Sequence, residues 1–163
     1  MRYIMPGRTG LDVSPVAVGD MTYGDPGRGH PVWSLDEENS RPLIKHALEA
    51  GINFFDTANL YSYGSGEEIL GNALNDYAHR DDVVITTKVR HVMRPGSPHG
   101  GGPSRKAITS EIDNSLRRLG TDYVDIYMIH RLDNDTPLEE TLQARRRPYG
   151  HLLMVGKAQA RPG

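Results

Sequence analysis

Residues 51–77 read GINFFDTANLYSYGSGEEILGNALNDY and contain one complete unit of a strand, a loop and a helix. The apolar run at residues 52–55 predicts a buried strand. Residues 65–68 read SGEE, which has the spacing of a capping box at a helix N-terminus. Apolar residues then recur at helical period over residues 69–77, so the stretch predicts a strand followed by an amphipathic helix.

The same order of a short apolar strand and an amphipathic helix occurs four times along the chain. The predicted strands cover residues 16–18, 52–55, 82–87 and 124–129, and the predicted helices begin at the caps Ser34, Ser65 and Ser104 and at Pro137, the first helical residue of the fourth. Residues 3–5 and 11–13 flank a turn rich in Pro and Gly and predict a small hairpin before the first unit.

Strands that alternate with helices favour a parallel sheet with right-handed crossovers. An open sheet that binds a dinucleotide usually carries Gly-x-Gly-x-x-Gly after its first strand, whereas residues 19–24 read GDMTYG. The alternative is a (β/α)₈ barrel, which typically takes about 250 residues. Because the chain has 163 residues, we expect an α/β fold of the TIM-barrel type, truncated to about four β/α units after the hairpin.

The composition, with 37% hydrophobic and 25% charged residues, is that of a soluble globular domain. No apolar run approaches the roughly 20 residues of a membrane span, and the N-terminus lacks the pattern of a secretory signal. We therefore expect a cytoplasmic protein with no membrane partner. The net charge of -2 also argues against nucleic acid as a partner.

The side chains available for chemistry are limited by the absence of cysteine, which excludes disulfides, thiolate metal sites and thiol nucleophiles. Six histidines show no metal-ligand spacing: His30, His46, His79, His91, His99 and His151. A barrel hydrolase would need a metal and often carries His-x-His after its first strand, which is missing here. We therefore expect no metal site.

Charge is distributed unevenly along the chain. Residues 1–140 contain all 21 acidic residues, whereas residues 141–163 contain five basic residues and no acidic one. We therefore divide the chain into residues 1–142 and an unmatched basic tail at residues 143–163. The favoured interpretation of the tail is an out-of-frame continuation or truncation of a longer protein; a natural short variant and an arm for nucleic acid or membranes are the alternatives.

Ionisable side chains follow three successive predicted strands, at the end where barrel enzymes carry their active sites. Asp56 follows the second strand, Lys88 the third and His130 the fourth, while Tyr61 lies five residues after Asp56. Taken singly, such residues usually serve a turn, face solvent or bridge backbone groups. Their occurrence together at strand ends predicts one site.

These four side chains form a chemically coherent set. An ammonium group close to a phenol favours the phenolate, so Lys88 would make Tyr61 a better acid. Asp56 would hold Lys88 in place, and His130 would hydrogen-bond a carbonyl oxygen near the Tyr61 hydroxyl. The sequence therefore predicts a proton donor aimed at an oxygen that becomes negative when hydride arrives.

From about residue 2 to residue 142 the chain resembles the aldo-keto reductase superfamily, and within it the aryl-alcohol-dehydrogenase-like reductases of bacteria and fungi. The blocks that carry the resemblance are GINFFDTA at residues 51–58 with Tyr61, GEEILG at 66–71, ITTKV at 85–89, SLRRLGTDYVD at 115–125 and Ile129-His130. It implies an NADP(H)-dependent carbonyl reductase, with Tyr61 as proton donor. Asp56 and Lys88 would tune the phenol, and His130 would orient the substrate.

The resemblance also implies binding residues for a nicotinamide cofactor, NADPH, and for a small carbonyl compound. Cofactor contacts are expected at Gly19, Met21 and Asp56. Substrate contacts are expected at Trp33, beside Tyr61 and His130. The alternative is a non-catalytic module of the same fold that senses a nucleotide or binds a partner, as some relatives do.

Two features depart from the family pattern. Asp20 stands where the family usually has a small or hydroxylic residue, and a carboxylate there would weaken a bound dinucleotide. Family members also continue through four further strands, none of which residues 143–163 match. If the chain ends there, strands one and four have unpaired edges, so we expect self-association through exposed strand edges.

Overall fold

The structure of the chain, a computed structural model, describes residues 1–29 and 33–144 with their side chains and residues 151–154 by their backbone. Its strands are β1 (Val18–Gly19), β2 (Phe54–Asp56), β3 (Val84–Val89), β4 (Ile126–Ile129) and β5 (His151–Met154), and its helices are α1 (Glu37–Glu49), α2 (Ser65–Tyr77), α3 (Arg105–Leu119) and α4 (Leu138–Gln143). The strands form one parallel sheet in the order β1-β2-β3-β4-β5. The predicted alternation and parallel sheet are confirmed.

The two ends of the sheet differ from the sequence prediction. The hairpin is reduced to one antiparallel bridge between Ile4 and Val13. β1 is shorter than predicted, and the side chain of Val16 is 58% exposed. β5, which the sequence analysis did not predict, pairs with β4, so the expectation that the fourth strand has an unpaired edge is wrong. Self-association through strand edges stays a prediction.

Two of the four predicted helix starts are capped by a different residue. Ser104 caps α3 as predicted, because its hydroxyl accepts a hydrogen bond from the Ala107 N–H. For α1 the cap is Asp36 and not Ser34: the Asp36 carboxylate accepts from the Asn39 N–H at 3.0 Å. The fourth helix starts one residue later than predicted, with Pro137 at its cap.

The prediction that Ser65 caps α2 is also wrong, because tertiary hydrogen bonds use its hydroxyl. Ser65 is the first residue of the helix, and Gly64 occupies the cap position with a left-handed φ of 91°. The Ser65 hydroxyl accepts from the Asp25 N–H at 2.8 Å and donates to the Ser62 carbonyl at 2.9 Å. The Ser65 hydroxyl therefore stabilises the loop before α2 and does not cap the helix.

Each face of the sheet has its own apolar layer, because side chains alternate along a strand. Phe55, Ile85 and Ile129 face the helices, are at most 2% exposed and pack in one cluster with Leu70 and Ile112. Burial of each such side chain contributes about 1.5–3 kcal/mol. This cluster fixes the helices on the sheet and sets the directions in which the strand ends point.

The opposite face of the sheet leads toward the ionisable strand ends. Val84 and Ile126 pack there with Val13, so the N-terminal segment covers the lower end of this face. Lys88 lies four residues beyond Val84 and therefore points to the same side. The polar groups at the carboxyl ends of the strands therefore lie next to an apolar layer on the same face of the sheet. No helix in the described part of the chain is both long and apolar enough to cross a membrane.

A buried ion pair joins α2, α3 and β3 behind the sheet. Glu67 is fully buried and accepts hydrogen bonds from the Thr87 hydroxyl at 2.5 Å and from Arg118 Nε at 2.6 Å. Arg118 Nη2 also lies 4.0 Å from Glu111 Oε2. Because a buried charge is stable only when it is paired, Glu67 and Arg118 tie the two helices to the strand that carries Lys88.

A second buried carboxyl group, that of Asp20, lies behind the ends of β1 and β2. Asp20 is fully buried, and its Oδ2 accepts a hydrogen bond from the Thr57 hydroxyl at 2.5 Å. Its Oδ1 has no hydrogen-bond partner in the described part of the chain. Burial raises the pKa of Asp20 well above the ordinary value, and the nearby Glu67 adds to the rise. The carboxyl group is therefore enclosed and does not face a dinucleotide from the open side.

We expect that replacement of Glu67 by Gln lowers the free energy of unfolding by about 3 kcal/mol, because it leaves the buried charge of Arg118 without its main partner. Urea unfolding of the wild type and the variant measures the loss. Glu68→Gln is the matched control: Glu68 is exposed and pairs with Arg28 at the surface, where an ion pair contributes less than about 1 kcal/mol. Equal losses in the two variants would contradict the role given to Glu67.

We expect that Asp20→Asn raises Tm at pH 7 by about 3 °C or more. Burial raises the pKa of Asp20 in the folded protein, so the folded state keeps a proton that the unfolded chain releases above about pH 4. Stability of the wild type then falls as pH rises from about 4 toward the raised pKa, whereas Asn has no such dependence.

The measurement is thermal unfolding of the wild type and Asp20→Asn at several pH values between 4 and 8. The advantage of the variant shrinks as the pH falls toward 4. Asp12→Asn, which changes an exposed carboxylate, serves as the control and leaves Tm nearly unchanged. If Asp20→Asn is less stable than the wild type at pH 7 and equally stable at pH 4, the pH dependence has the opposite sign. That result would contradict a raised pKa for Asp20 in the folded protein.

Candidate active site

The ammonium group of Lys88 lies at the centre of the predicted site. Its Nζ donates to Asp56 Oδ2 at 2.8 Å, to the Thr57 carbonyl at 2.8 Å and to the Tyr61 hydroxyl oxygen at 3.3 Å. The Lys88 side chain is 13% exposed, so little water competes for these contacts. The structure thus brings together three of the four residues that the strand ends indicated.

His130, the fourth residue, lies beside Tyr61. The two rings are edge to face, with centroids 5.9 Å apart. The backbone N–H of His130 donates to the Val89 carbonyl at 2.9 Å, which holds the end of β4 against β3. Nδ1 of His130 is buried and has no partner among the described residues. A ligand therefore meets this ring at the part of it that lines the two cavities beside the site.

Burial, the largest cause, and the neighbouring His91, Lys88, Arg131 and Arg90 together lower the pKa of His130 to about 4. The imidazole is therefore neutral at neutral pH. A neutral imidazole donates one hydrogen bond without carrying the charge of an acid. This state suits a group that orients a carbonyl oxygen while a different residue supplies the proton.

The loop after β2 carries Tyr61 back toward Lys88. The Thr57 N–H donates to the Thr86 carbonyl at 2.9 Å and the Asn59 N–H donates to the Lys88 carbonyl at 3.1 Å, so the loop continues the pairing with β3. Asn59 is fully buried and its side chain donates to Glu111 at 3.2 Å. These contacts fix the loop at both the sheet and α3.

Strained backbone directly follows Tyr61. Ser62 and Tyr63 adopt left-handed φ angles of 45° and 49°, a conformation that costs about 1–3 kcal/mol for a residue other than glycine. Ser62 is fully buried, and close packing against Gly24 keeps it there: a Cβ on Gly24 would lie 2.2 Å from the Ser62 hydroxyl oxygen. The surrounding structure thus imposes the turn that directs Tyr61 at Lys88.

Two neighbouring cavities adjoin these residues. The first, of about 550 Å³, is lined by Tyr61 and His130 together with Met21, Trp33 and Arg131. The second, of about 430 Å³, has Asp56, Lys88 and His130 in its wall and continues over the inner face of the sheet. The catalytic candidates therefore border open space on two sides. Trp33, predicted as a substrate contact, is 58% exposed within the first cavity.

The predicted cofactor residues border the same end of the sheet. Gly19 ends β1 directly beside Asp56 of β2, and a Cβ on Gly19 would meet no atom within 4 Å. Met21 lines the first cavity and is 47% exposed. The residues present therefore fit one wall of a nicotinamide site, because they leave space next to Lys88 and Tyr61.

The structure adds two cationic or titratable residues that the sequence analysis did not assign to the site. His91 stands edge to face with His130 at a centroid distance of 4.9 Å. Arg131 lines the cavity with Tyr61 and His130. Their positions in the sequence could have indicated both residues, because His91 lies two residues beyond β3 and Arg131 directly follows His130. In the described ranges no group of three or more His, Asp and Glu side chains is placed to hold a metal ion.

Comparison with known proteins supports the family resemblance. Residues 15–145 match the model of the Aldo/keto reductase family. The chain is 43% identical over 161 residues to the versiconal hemiacetal acetate reductase of Aspergillus parasiticus, covering 88% of this chain and 46% of that protein. It is 42% identical over 125 residues to the L-glyceraldehyde 3-phosphate reductase of Escherichia coli K12, covering 74% of this chain and 35% of that protein.

A relative with a different role is also similar. The chain is 40% identical over 154 residues to a putative voltage-gated potassium channel subunit beta of Schizosaccharomyces pombe, covering 93% of this chain and 42% of that protein. The chain thus spans less than half the length of these curated relatives.

The fold agrees with a solved structure. It matches the holo form of the aldo-keto reductase AKR11C1 from Bacillus halodurans with a TM-score of 0.77 and 33% identity, over 95% of this chain and 51% of that chain. The five parallel strands and four helices correspond to about half of that TIM barrel. With the family model matched over residues 15–145 and the strand ends arranged as described, the chain belongs to the aldo/keto reductase family.

Proposed function

We propose that the chain carries the catalytic centre of an NADP(H)-dependent oxidoreductase that reduces aldehydes or ketones to alcohols. The observation that carries the proposal is the contact of one ammonium, that of Lys88, with both Asp56 at 2.8 Å and the Tyr61 hydroxyl at 3.3 Å. Family membership supports oxidoreductase chemistry.

Tyr61 supplies the proton in this proposal. Lys88 donates a hydrogen bond to the phenol oxygen, which leaves the phenol hydrogen free to point into the cavity. As the proton passes to the substrate oxygen, negative charge develops on the phenol oxygen, and the ammonium already in place stabilises it. Asp56 balances the charge of Lys88 and holds its Nζ in the direction of Tyr61.

His130 positions the carbonyl group. Its neutral ring lies beside Tyr61 in the wall of the same cavity, so both groups reach one oxygen atom. A hydrogen bond from the imidazole polarises the carbonyl without transferring a proton. The division of roles follows from the environment: burial and nearby cations hold His130 neutral, while Tyr61 keeps its cationic neighbour.

The nicotinamide cofactor supplies hydride when it is bound. Gly19, Met21 and Asp56 are the residues of this chain that would hold its reactive end, because Gly19 lies beside Asp56, which contacts Lys88, and Met21 lines the cavity of Tyr61. Gly19 leaves that space free for lack of a side chain. We assign NADPH in particular because of the family resemblance.

A non-catalytic subunit that senses a nucleotide or binds a partner is the second candidate. The similarity to a putative potassium channel subunit beta favours it. The contact of Lys88 with Tyr61, with His130 beside the phenol ring, favours an enzyme, because nucleotide binding alone does not need a phenol held against an ammonium.

The test is Tyr61→Phe, which removes the proton and keeps the ring. We expect kcat for 4-nitrobenzaldehyde to fall at least about 100-fold, the usual contribution of a positioned general acid. Oxidation of NADPH measures the rate. Tyr3→Phe is the control, since the Tyr3 hydroxyl bonds the Gly51 carbonyl in the N-terminal segment, away from the cavities. Equal rates for the wild type and Tyr61→Phe would favour the non-catalytic alternative.

A further inference from the structure

The cavity that contains Tyr61 and His130 also contains a guanidinium group. Arg131 follows His130 directly and lines the same 550 Å³ space. It is exposed and has no acidic partner within residues 1–29 and 33–144. The other walls include the aromatic side chains of Trp33 and Tyr63. The cavity therefore combines an aromatic lining with one cation that no described carboxylate neutralises.

A second guanidinium, that of Arg90, strengthens the positive field at this place. Burial lowers the pKa of His91, and the charges of Arg90 and Arg131 lower it further. The same two guanidinium groups act on His130. Nε of Arg90 is buried and lacks a hydrogen-bond partner in the described part of the chain. Asp56 and Lys88 form an ion pair that is neutral as a whole, so the positive charge of the two arginines is not offset by it.

We infer that the carbonyl substrate carries an anionic group, a carboxylate or a phosphate ester, which Arg131 binds while Tyr61 and His130 contact the carbonyl oxygen. The inference rests on the proposed function and adds a substrate class to the same cavity. Because His130 and Arg131 line the same cavity, the anionic group and the carbonyl belong to one small molecule. An exposed guanidinium binds such oxygens through charge-assisted hydrogen bonds.

A binding measurement tests the anion site without turnover. Trp33 is the single tryptophan of the chain and lines the cavity, so its fluorescence reports occupation. We titrate with benzoate and with benzamide, which have nearly the same shape and differ in charge, in the presence and absence of NADP+. Benzoate is expected to bind at least about tenfold more tightly, and added salt should reduce the preference.

Arg131→Met removes the charge and retains most of the side-chain length. It is expected to abolish the preference for benzoate. Arg8→Met, which changes an exposed arginine of the N-terminal segment, is expected to retain the preference. Equal affinities for benzoate and benzamide in the wild type under both conditions, or a preference that persists in Arg131→Met, would overturn the inference.

Kinetics separate a substrate anion from the phosphates of the cofactor, which are the same class of ligand. Arg131→Met is expected to raise KM for 4-carboxybenzaldehyde about tenfold and to change kcat/KM for 4-nitrobenzaldehyde, which carries no anionic group, by a clearly smaller factor. A rise in KM for NADPH instead would assign Arg131 to the cofactor and overturn the inference. An equal loss with both aldehydes would also overturn it, as a structural effect. If the wild type turns over neither aldehyde, the proposed function fails, while the benzoate titration still decides the anion site.

Discussion

The ion pair between Lys88 and Asp56 is the contact on which the other features of the site depend. An ammonium that is 13% exposed needs a nearby anion, and Asp56 provides it at 2.8 Å. With two of its donors used by Asp56 and the Thr57 carbonyl, the remaining direction of Nζ points to the Tyr61 hydroxyl. Through these three contacts, the ammonium of Lys88 holds the ends of β2 and β3 and the loop between β2 and α2 together.

The rest of the fold supports this arrangement from behind. Glu67 and Arg118 join two helices to β3 through a buried ion pair, while Asn59 ties the loop to α3. The loop accepts left-handed backbone at Ser62 and Tyr63, and close packing provides the stabilisation that such strain requires. A buried carboxyl group at Asp20 further costs stability at neutral pH. Energetic costs therefore concentrate around the end of the sheet where the candidate catalytic groups lie.

Sequence patterns could predict the features that depend on period and topology. Parallel strands bring their carboxyl ends to one edge, so the sequence alone predicts that Asp56, Lys88 and His130 lie together. Local patterns could not show which hydroxyl a distant backbone group would use: the Asp25 N–H, 40 residues away, occupies Ser65, so the capping-box prediction failed. The position of Arg131 in the cavity was not predicted for a related reason, because tertiary packing decides which side chains line the same cavity. The strand β5 was missed because the Arg, Gly and Pro content of the tail outweighed its short apolar run.

The central claim is that Lys88 acts on the reaction through Tyr61, and a double-mutant cycle on kcat tests it most directly. Lys88→Met, Tyr61→Phe and the double variant are compared with the wild type, after circular dichroism has shown that each is folded. If Lys88 works by stabilising the charge on the phenol oxygen, its replacement slows the wild type strongly and the Tyr61→Phe enzyme hardly at all. Rate losses that multiply in the double variant would show that the two side chains act independently and would contradict the account.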